Sequence, residues 1–482
     1  MRLWGALAAV AAAMSFAGPA CAEPFDRAAW LADLEQARQA FHEKYANLDW
    51  LEGEREVGVD KLFADLAKRM GRAQNDAQAM AVFNRLARKT GDGHVVIEWP
   101  EPTAAATTSS GGAPSASFDL CGSIGYDQRQ NEPGTAQALP GYAELASTGS
   151  PFHAGTLTVG DIRVGVVRIG IFQPQGYPEL CRAAVHELAI PADKPCDDEC
   201  QNRIVTFAYR DLTVTLEQRL QELAAAGATT LLVDLTNNGG GSEWAEAAAR
   251  MFSSRKLVSE RRGFVRGEHW AKQWRDLGGQ LREFAKDAPA ADKQRLLRWA
   301  AEADAALRQA QAPCPATSPA CPRTATAGFS VGLVGSAPAG AFDGKEWGVL
   351  VFNPAQFPYH DGVWNGPLIV LTDQETWSAA EEFAAVLQDN RAAVVMGART
   401  GGAGCGYTWG GTPTTLKNSG AVLKLPDCVR FRADGSNEVR GILPDVPVPL
   451  RADDGLALRA RLIAEKLPEA IAHARALQAQ AR

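Results

Sequence analysis

"TTLLVDLTNNGGGSEWAEAAARMF", Thr229 to Phe252, decides the fold. The run Thr229–Leu235 is apolar without alternation, which suits a strand buried on both faces. Three glycines then let the backbone turn sharply, and a helix is expected from about Ser242. "PLIVLTDQETWSAAEEFAAVLQD", Pro367 to Asp389, repeats the plan and is followed by the strand "AAVVMG", Ala392 to Gly397. Two strand–turn–helix units predict an α/β core with parallel strands. "DIRVGVVRIGIF", Asp161 to Phe172, supplies a further strand, and a helix is expected over about Asn202–Ala226.

Outward from this core, the chain begins with a secretion signal over residues 1–22. Arg2 is its positive start, Leu3–Ala13 its apolar run and "ACA" its cleavage site. Cys21 leaves a lipoprotein as the minor alternative, so the expected location is periplasmic or secreted. No later stretch is apolar for long enough to span a membrane. Residues 23–90 read as an N-terminal helical region. Trp30, Leu31, Leu34, Ala37, Phe41 and Tyr45 recur at helical spacing, and further helices are expected near Asp60–Met70 and Asp76–Arg88. Gly91 stops the last of these, and a short strand begins after it. Residues 91–160 join that strand to the low-complexity loop "EPTAAATTSSGGAPSAS", Glu101–Ser117. The core is expected over 161–450, with a helical insertion at about 265–325, and a helix over 451–482 closes the chain. A net charge of −7, spread along 482 residues, gives no basic footprint for nucleic acid.

Of nine cysteines, removal of Cys21 leaves an even set, which in an exported chain indicates disulfides. Cys314–Cys321 and Cys405–Cys428 are expected pairs, each flanking a turn-rich loop. Cys121, Cys181, Cys196 and Cys200 allow three pairings, of which Cys196–Cys200 with Cys121–Cys181 is preferred. Zinc is the rival, but no tight Cys-x2-Cys spacing repeats and no His stands near either close pair. No metal or cofactor is expected.

Ser378 has two readings. It is a favoured helix N-cap, with Glu381 and Glu382 placed for a capping box. It is also a candidate nucleophile, provided a base activates it. "NNGGG", Asn237–Gly241, is either a plain turn or a set of amides exposed to an anion. No phosphate-binding glycine pattern is present, no G-x-S-x-G surrounds Ser378, and no Lys stands three residues after it. Of seven histidines, His94 in "GDGHVV" has the most particular setting, a helix-to-strand junction.

The order "GDGH", "LLVDLTNNGGGS", "PLIVLTDQETWSAAEEFA", "VVMGARTGGAG", "NEVRGILPDVPV" resembles the tail-specific (C-terminal-processing) serine peptidases, over about Gly91–Val448. The resemblance implies a crotonase-like core, hydrolysis of peptide bonds and a peptide or protein substrate. Where the Ser–Lys branch of that family carries its lysine, this chain has Ala403 and Gly404. The branch similar to the tricorn core peptidase implies His94, Ser378 and Glu438 as catalytic partners, with the amides of Gly240 and Ala379 as oxyanion hole. In that branch a Ser precedes the His; here it is Gly93. A direct contact, a water or Asp92 could connect Glu438 to His94. The same fold also serves non-catalytic carriers of apolar ligands, which, like an inactive scaffold, need none of these three side chains.

Overall fold

The computed structural model describes residues 25–100, 118–146, 150–312, 323–408, 410–451 and 453–480. The expected signal over residues 1–22, the expected loop Glu101–Ser117 and the expected pair Cys314–Cys321 lie outside them.

Seven strands form the central sheet. Their order is Val446–Pro447, Val394–Gly397, Leu368–Thr372, Thr230–Asp234, Ile162–Arg168, Ala154–Val159, Ala143–Glu144. The first five run parallel, and the last two are added antiparallel at the edge. The strands Thr230–Asp234 and Leu368–Thr372 are buried throughout. Their side chains alternate between two cores, as the pleat requires. Leu231, Val233, Leu368 and Val370 face the helices Asp198–Ala225, Trp244–Met251 and Ala379–Asp389. Leu232, Ile369 and Leu371 face the C-terminal helix Leu456–Ala479 through Ile463, Leu467 and Ile471. The α/β core with parallel strands expected from the two strand–turn–helix units is therefore present.

The N-terminal region has its own core. Helices Arg27–Lys44, Val59–Met70 and Asp76–Thr90 pack through Phe41, Phe63, Leu66 and Phe83 against Leu416 and Leu423. Gly91, at φ +67°, ends the third helix in the left-handed conformation, as its position after the apolar pattern predicts. The short helix Leu48–Gly53 was not expected, since six residues show no period. The insertion is two antiparallel helices, Glu268–Asp287 and Ala290–Gln311, broken at Pro289. Their Trp270, Trp274, Leu281, Leu296 and Trp299 enclose a third core.

Two small sheets bring distant segments to the core. In one, Arg261–Val265 lies between Cys428–Phe431 and Thr324–Phe329. In the other, Val422–Lys424 lies between Val96–Glu98 and Thr414–Thr415, so the strand after His94 is pinned beside the later hairpin. Neither sheet was legible, because their strands are short and paired across large sequence separations.

Three disulfides are present among the described residues: Cys121–Cys181, Cys196–Cys200 and Cys405–Cys428. They are the preferred pairings, and they place Cys196 and Cys200 with each other rather than on a metal. Cys121–Cys181 spans 60 residues and Cys196–Cys200 only 4. On the chain-entropy account, removing the first costs roughly 4 kcal/mol and removing the second about 2 kcal/mol. Urea denaturation of the Cys121→Ala/Cys181→Ala and Cys196→Ala/Cys200→Ala chains is expected to show that order. Equal losses would overturn it.

Candidate active site

Ser378 ends the turn after the Leu368–Thr372 strand and begins the Ala379–Asp389 helix. Its backbone sits at φ 54°, ψ −119°, a conformation that costs a non-glycine residue ~1–3 kcal/mol. Only half of the expected capping box forms. The Ser378 N–H donates to Glu381 Oε2 at 2.9 Å, but Ser378 Oγ makes no cap bond. The hydroxyl instead lies 3.0 Å from His94 Nε2.

The strained turn is tied to the glycine loop. Trp377 N–H donates to Asn238 O, Thr376 Oγ1 to Leu235 O, and Asn237 N–H to Asp373 Oδ1. Gly240 presses so close that a Cβ there would stand 2.7 Å from Ser378 Cβ, and its φ is +107°. Only glycine fits both demands. The Gly240 N–H is engaged, donating to Asn238 Oδ1 at 2.8 Å. The Ala379 N–H, at the first helical position, has no acceptor among the described residues.

His94 is held from three sides. Its backbone N–H donates to Asp92 Oδ1 at 3.0 Å. Asp92 is buried, and its other oxygen accepts from Tyr45 and Asn47, so the N-terminal helical region sets the position of the histidine turn. His94 Nδ1 lies 2.9 Å from the Ala403 carbonyl. A carbonyl only accepts, so Nδ1 carries the proton and Nε2 of the neutral ring is left as acceptor for the Ser378 hydroxyl. Burial lowers the His94 pKa below the ordinary value, and the Asp92 charge opposes it. The net shift is downward, which leaves a neutral base at neutral pH. Gly93 has a local reason: a Cβ there would meet the Trp377 ring at 3.1 Å.

Glu438 makes no direct contact with His94, though its charge acts on the ring. It lies on the turn Glu438–Arg440, is 1 % exposed, and is gripped by Arg430, with Nε to Oε2 at 2.5 Å and Nη2 to Oε1 at 2.7 Å. No hydrogen bond joins it to His94 among the described residues. Arg430 Nη2 also reaches Gly404 O at 2.9 Å and Ser378 O at 3.3 Å, and Nη1 lies 3.1 Å from Glu382. Glu438 reaches His94 by no direct hydrogen bond, and Asp92 serves His94 without Glu438. Burial pushes Glu382 up to about 8 and Glu260 well above the carboxylate range. Burial is the largest effect on Glu438 as well, but the charge and hydrogen bonds of Arg430, with help from Glu260 and Arg432, together outweigh it and hold this carboxyl below its ordinary value. Near neutral pH the cluster is thus one ion pair, Arg430 with Glu438, beside two carboxyls inclined to keep their protons.

The position expected to bear a lysine holds Ala403, 2 % exposed, and it contributes its carbonyl to His94. Lys424 is occupied by Glu98 and Tyr407. The Cys405–Cys428 bond ties the Ala403 loop to the strand that carries Arg430. Sequence reading missed Arg430 entirely, because nothing local marks it. It saw Glu381 only as a capping partner.

The profile of peptidase family S41 matches residues 203–448, just over half of the chain and spanning both the glycine loop and Ser378.

The chain belongs to peptidase family S41.

It is a serine-type peptidase of the tail-specific class. No curated protein matches it in sequence. Among solved structures, mature CPAF aligns over 93% of this chain and 98% of its own, at 15% identity and TM-score 0.57. Mature CPAF complexed with lactacystin aligns over 93% and 99%, at 14% identity and TM-score 0.56. At such identities the likeness is one of fold. No helix among the described residues is long and apolar enough to cross a membrane.

Proposed function

We propose that this S41 peptidase hydrolyses peptide bonds with Ser378 as nucleophile and His94 as base, in the manner of the tricorn-like rather than the Ser–Lys branch. The carrying observation is the 3.0 Å approach of Ser378 Oγ to His94 Nε2 on a ring whose Nδ1 is fixed by a carbonyl. Ser378 Oγ attacks the scissile carbonyl while His94 takes its proton, which it then returns to the leaving amine. Water repeats the sequence on the acyl-enzyme. The Ala379 amide and the Gly240 amide, once Asn238 releases it, receive the oxyanion; loss of one such donor costs ~10²–10³ in rate. The helix beginning at Ser378 adds a favourable dipole field.

Glu438 acts through Arg430. Its charge keeps the guanidinium in place against the carbonyls of Ser378 and Gly404. The domain division inferred from the sequence places His94 on the segment before the core, so the site is assembled from both. The signal read from the sequence over residues 1–22 and the disulfides among the described residues support an exported protein, periplasmic or secreted. The substrate is a peptide or protein.

A fluorophosphonate probe tests the reading directly. The Ser378 oxygen should displace fluoride from phosphorus and leave a stable phosphonyl adduct on the Ser378 peptide. A folded chain that forms no adduct would instead be a carrier or scaffold of the same fold.

A further inference from the structure

One carboxylate touches both halves of the site. Glu381 Oε2 accepts the Ser378 N–H at 2.9 Å and the Ala403 N–H at 2.8 Å. Its Oε1 accepts the Gly402 N–H at 2.8 Å and the Thr400 hydroxyl at 2.6 Å. Thr400 Oγ1 itself accepts from Ile442 N–H, so its own hydrogen is directed at Glu381. A helix cap explains only the first of these four bonds. The other three go to a loop 19 to 22 residues away, and that loop presents the Ala403 carbonyl to His94 Nδ1. We propose that Glu381 is a positioning residue whose ionised carboxylate fixes Ser378 and His94 relative to one another, so that its ionisation, and not that of His94, sets the acid limb of activity. This inference rests on the reading of Ser378 and His94 as the reacting pair.

Geometry requires the charge. Four donors converge on two oxygens, and a protonated carboxyl would bring a fifth hydrogen with no acceptor to receive it. The strained backbone of Ser378 also needs an external hold, since a left-handed non-glycine conformation persists only where its surroundings impose it. Yet Glu381 is fully buried. Burial, reinforced by the negative charge of Glu438, pushes its pKa up to about 7 against the pull of the Thr400, Ala403 and Gly402 bonds. The other charged or titratable groups of this cluster are Arg430 on the Cys428–Phe431 strand, Arg432 just after it, Glu382 on the same helix, Glu260 before the Arg261–Val265 strand, and His94 beyond the Ala403 peptide. His94 titrates below its ordinary 6.5. Both groups must lose a proton for the site to work, so activity rises with pH through each. The higher ionisation governs, and that one belongs to Glu381.

The test follows the rate of fluorophosphonate labelling against pH in the full-length chain. The parent should show an acid limb near pH 7. Glu381→Gln keeps the shape but turns an NH2 toward N–H donors. It should slow labelling ~10²-fold on the alkaline plateau, the scale expected of a displaced catalytic group. Its remaining limb should move to the His94 position, below 6.5. Thr400→Val removes a donor to the charged form, so its limb should move the opposite way, above that of the parent. A residue that merely held the fold would lower the yield of folded protein without moving either limb. If Glu381→Gln does not fold, the parent and Thr400→Val profiles decide by themselves. A parent limb below 6.5 that Thr400→Val leaves in place overturns this inference while the peptidase reading stands. A parent that never labels overturns both.

Discussion

Ser378→Ala and His94→Ala should each lower kcat by ~10⁴ or more, and the double variant should lose no more than either alone. The reason is geometric: the Ser378 hydroxyl and His94 Nε2 share one hydrogen bond, and neither can do its part without the other. Steady-state cleavage of a peptide found from a library gives the measurement. The residual rate of Ser378→Ala should stay above the uncatalysed one, because backbone amides at the glycine loop and at Ala379 survive the substitution. If His94→Ala retains more than about a tenth of parent activity, the base is another group, since losing a true general base costs ~10²–10⁴.

Arg430→Met should be the most destabilising single change near the site, costing ~3–5 kcal/mol, because it leaves the buried Glu438 carboxylate without its cation. Arg430 is hydrogen-bonded to Glu438 and lies within ion-pair distance of Glu382 and Glu260. Glu438→Gln should cost less, since a neutral amide still accepts from the guanidinium. Adding Glu438→Gln to Arg430→Met should recover part of the loss, because the stranded charge is removed. Urea denaturation of the three variants at neutral pH closes the cycle. The same set separates two roles for Glu438. If Glu438 serves Arg430, its replacement lowers the rate in the parent and does little once Arg430 is gone. A full effect of Glu438→Gln in the Arg430→Met background would mean that Glu438 reaches His94 independently.

Much of this was written locally in the chain. The buried run Thr229–Leu235, the three glycines after it and the repeat of that plan at Pro367–Asp389 determined a parallel α/β core. Apolar periodicity and the Gly91 stop placed the N-terminal helices, and cysteine parity with loop spacing anticipated Cys405–Cys428, while three pairings stayed open for Cys121, Cys181, Cys196 and Cys200. Motif order marked His94, Ser378 and Glu438 for attention. These signals share a cause: helix period, turn chemistry and capping act over a few residues, so they can be read without knowing where the chain goes next.

What the tertiary structure alone decided lies across long separations. His94 and Ser378 are 284 residues apart and meet only because the N-terminal helices carry Asp92 to the rim of the core. Whether Ser378 Oγ caps its helix or faces a base is a single torsion. Its local sequence favoured the cap, while the approach of His94 and the grip of Glu381 on the Ser378 amide left the hydroxyl for the base. How Glu438 connects to His94 was left open by the sequence; Arg430 stands against Glu438, because a buried carboxylate takes the nearest cation and the packing of the Cys428–Phe431 strand determines which cation that is. The identity of the acceptor behind His94 was beyond sequence altogether. It is the main-chain carbonyl of Ala403, and every residue has a carbonyl; only the path of the backbone says which one will be there.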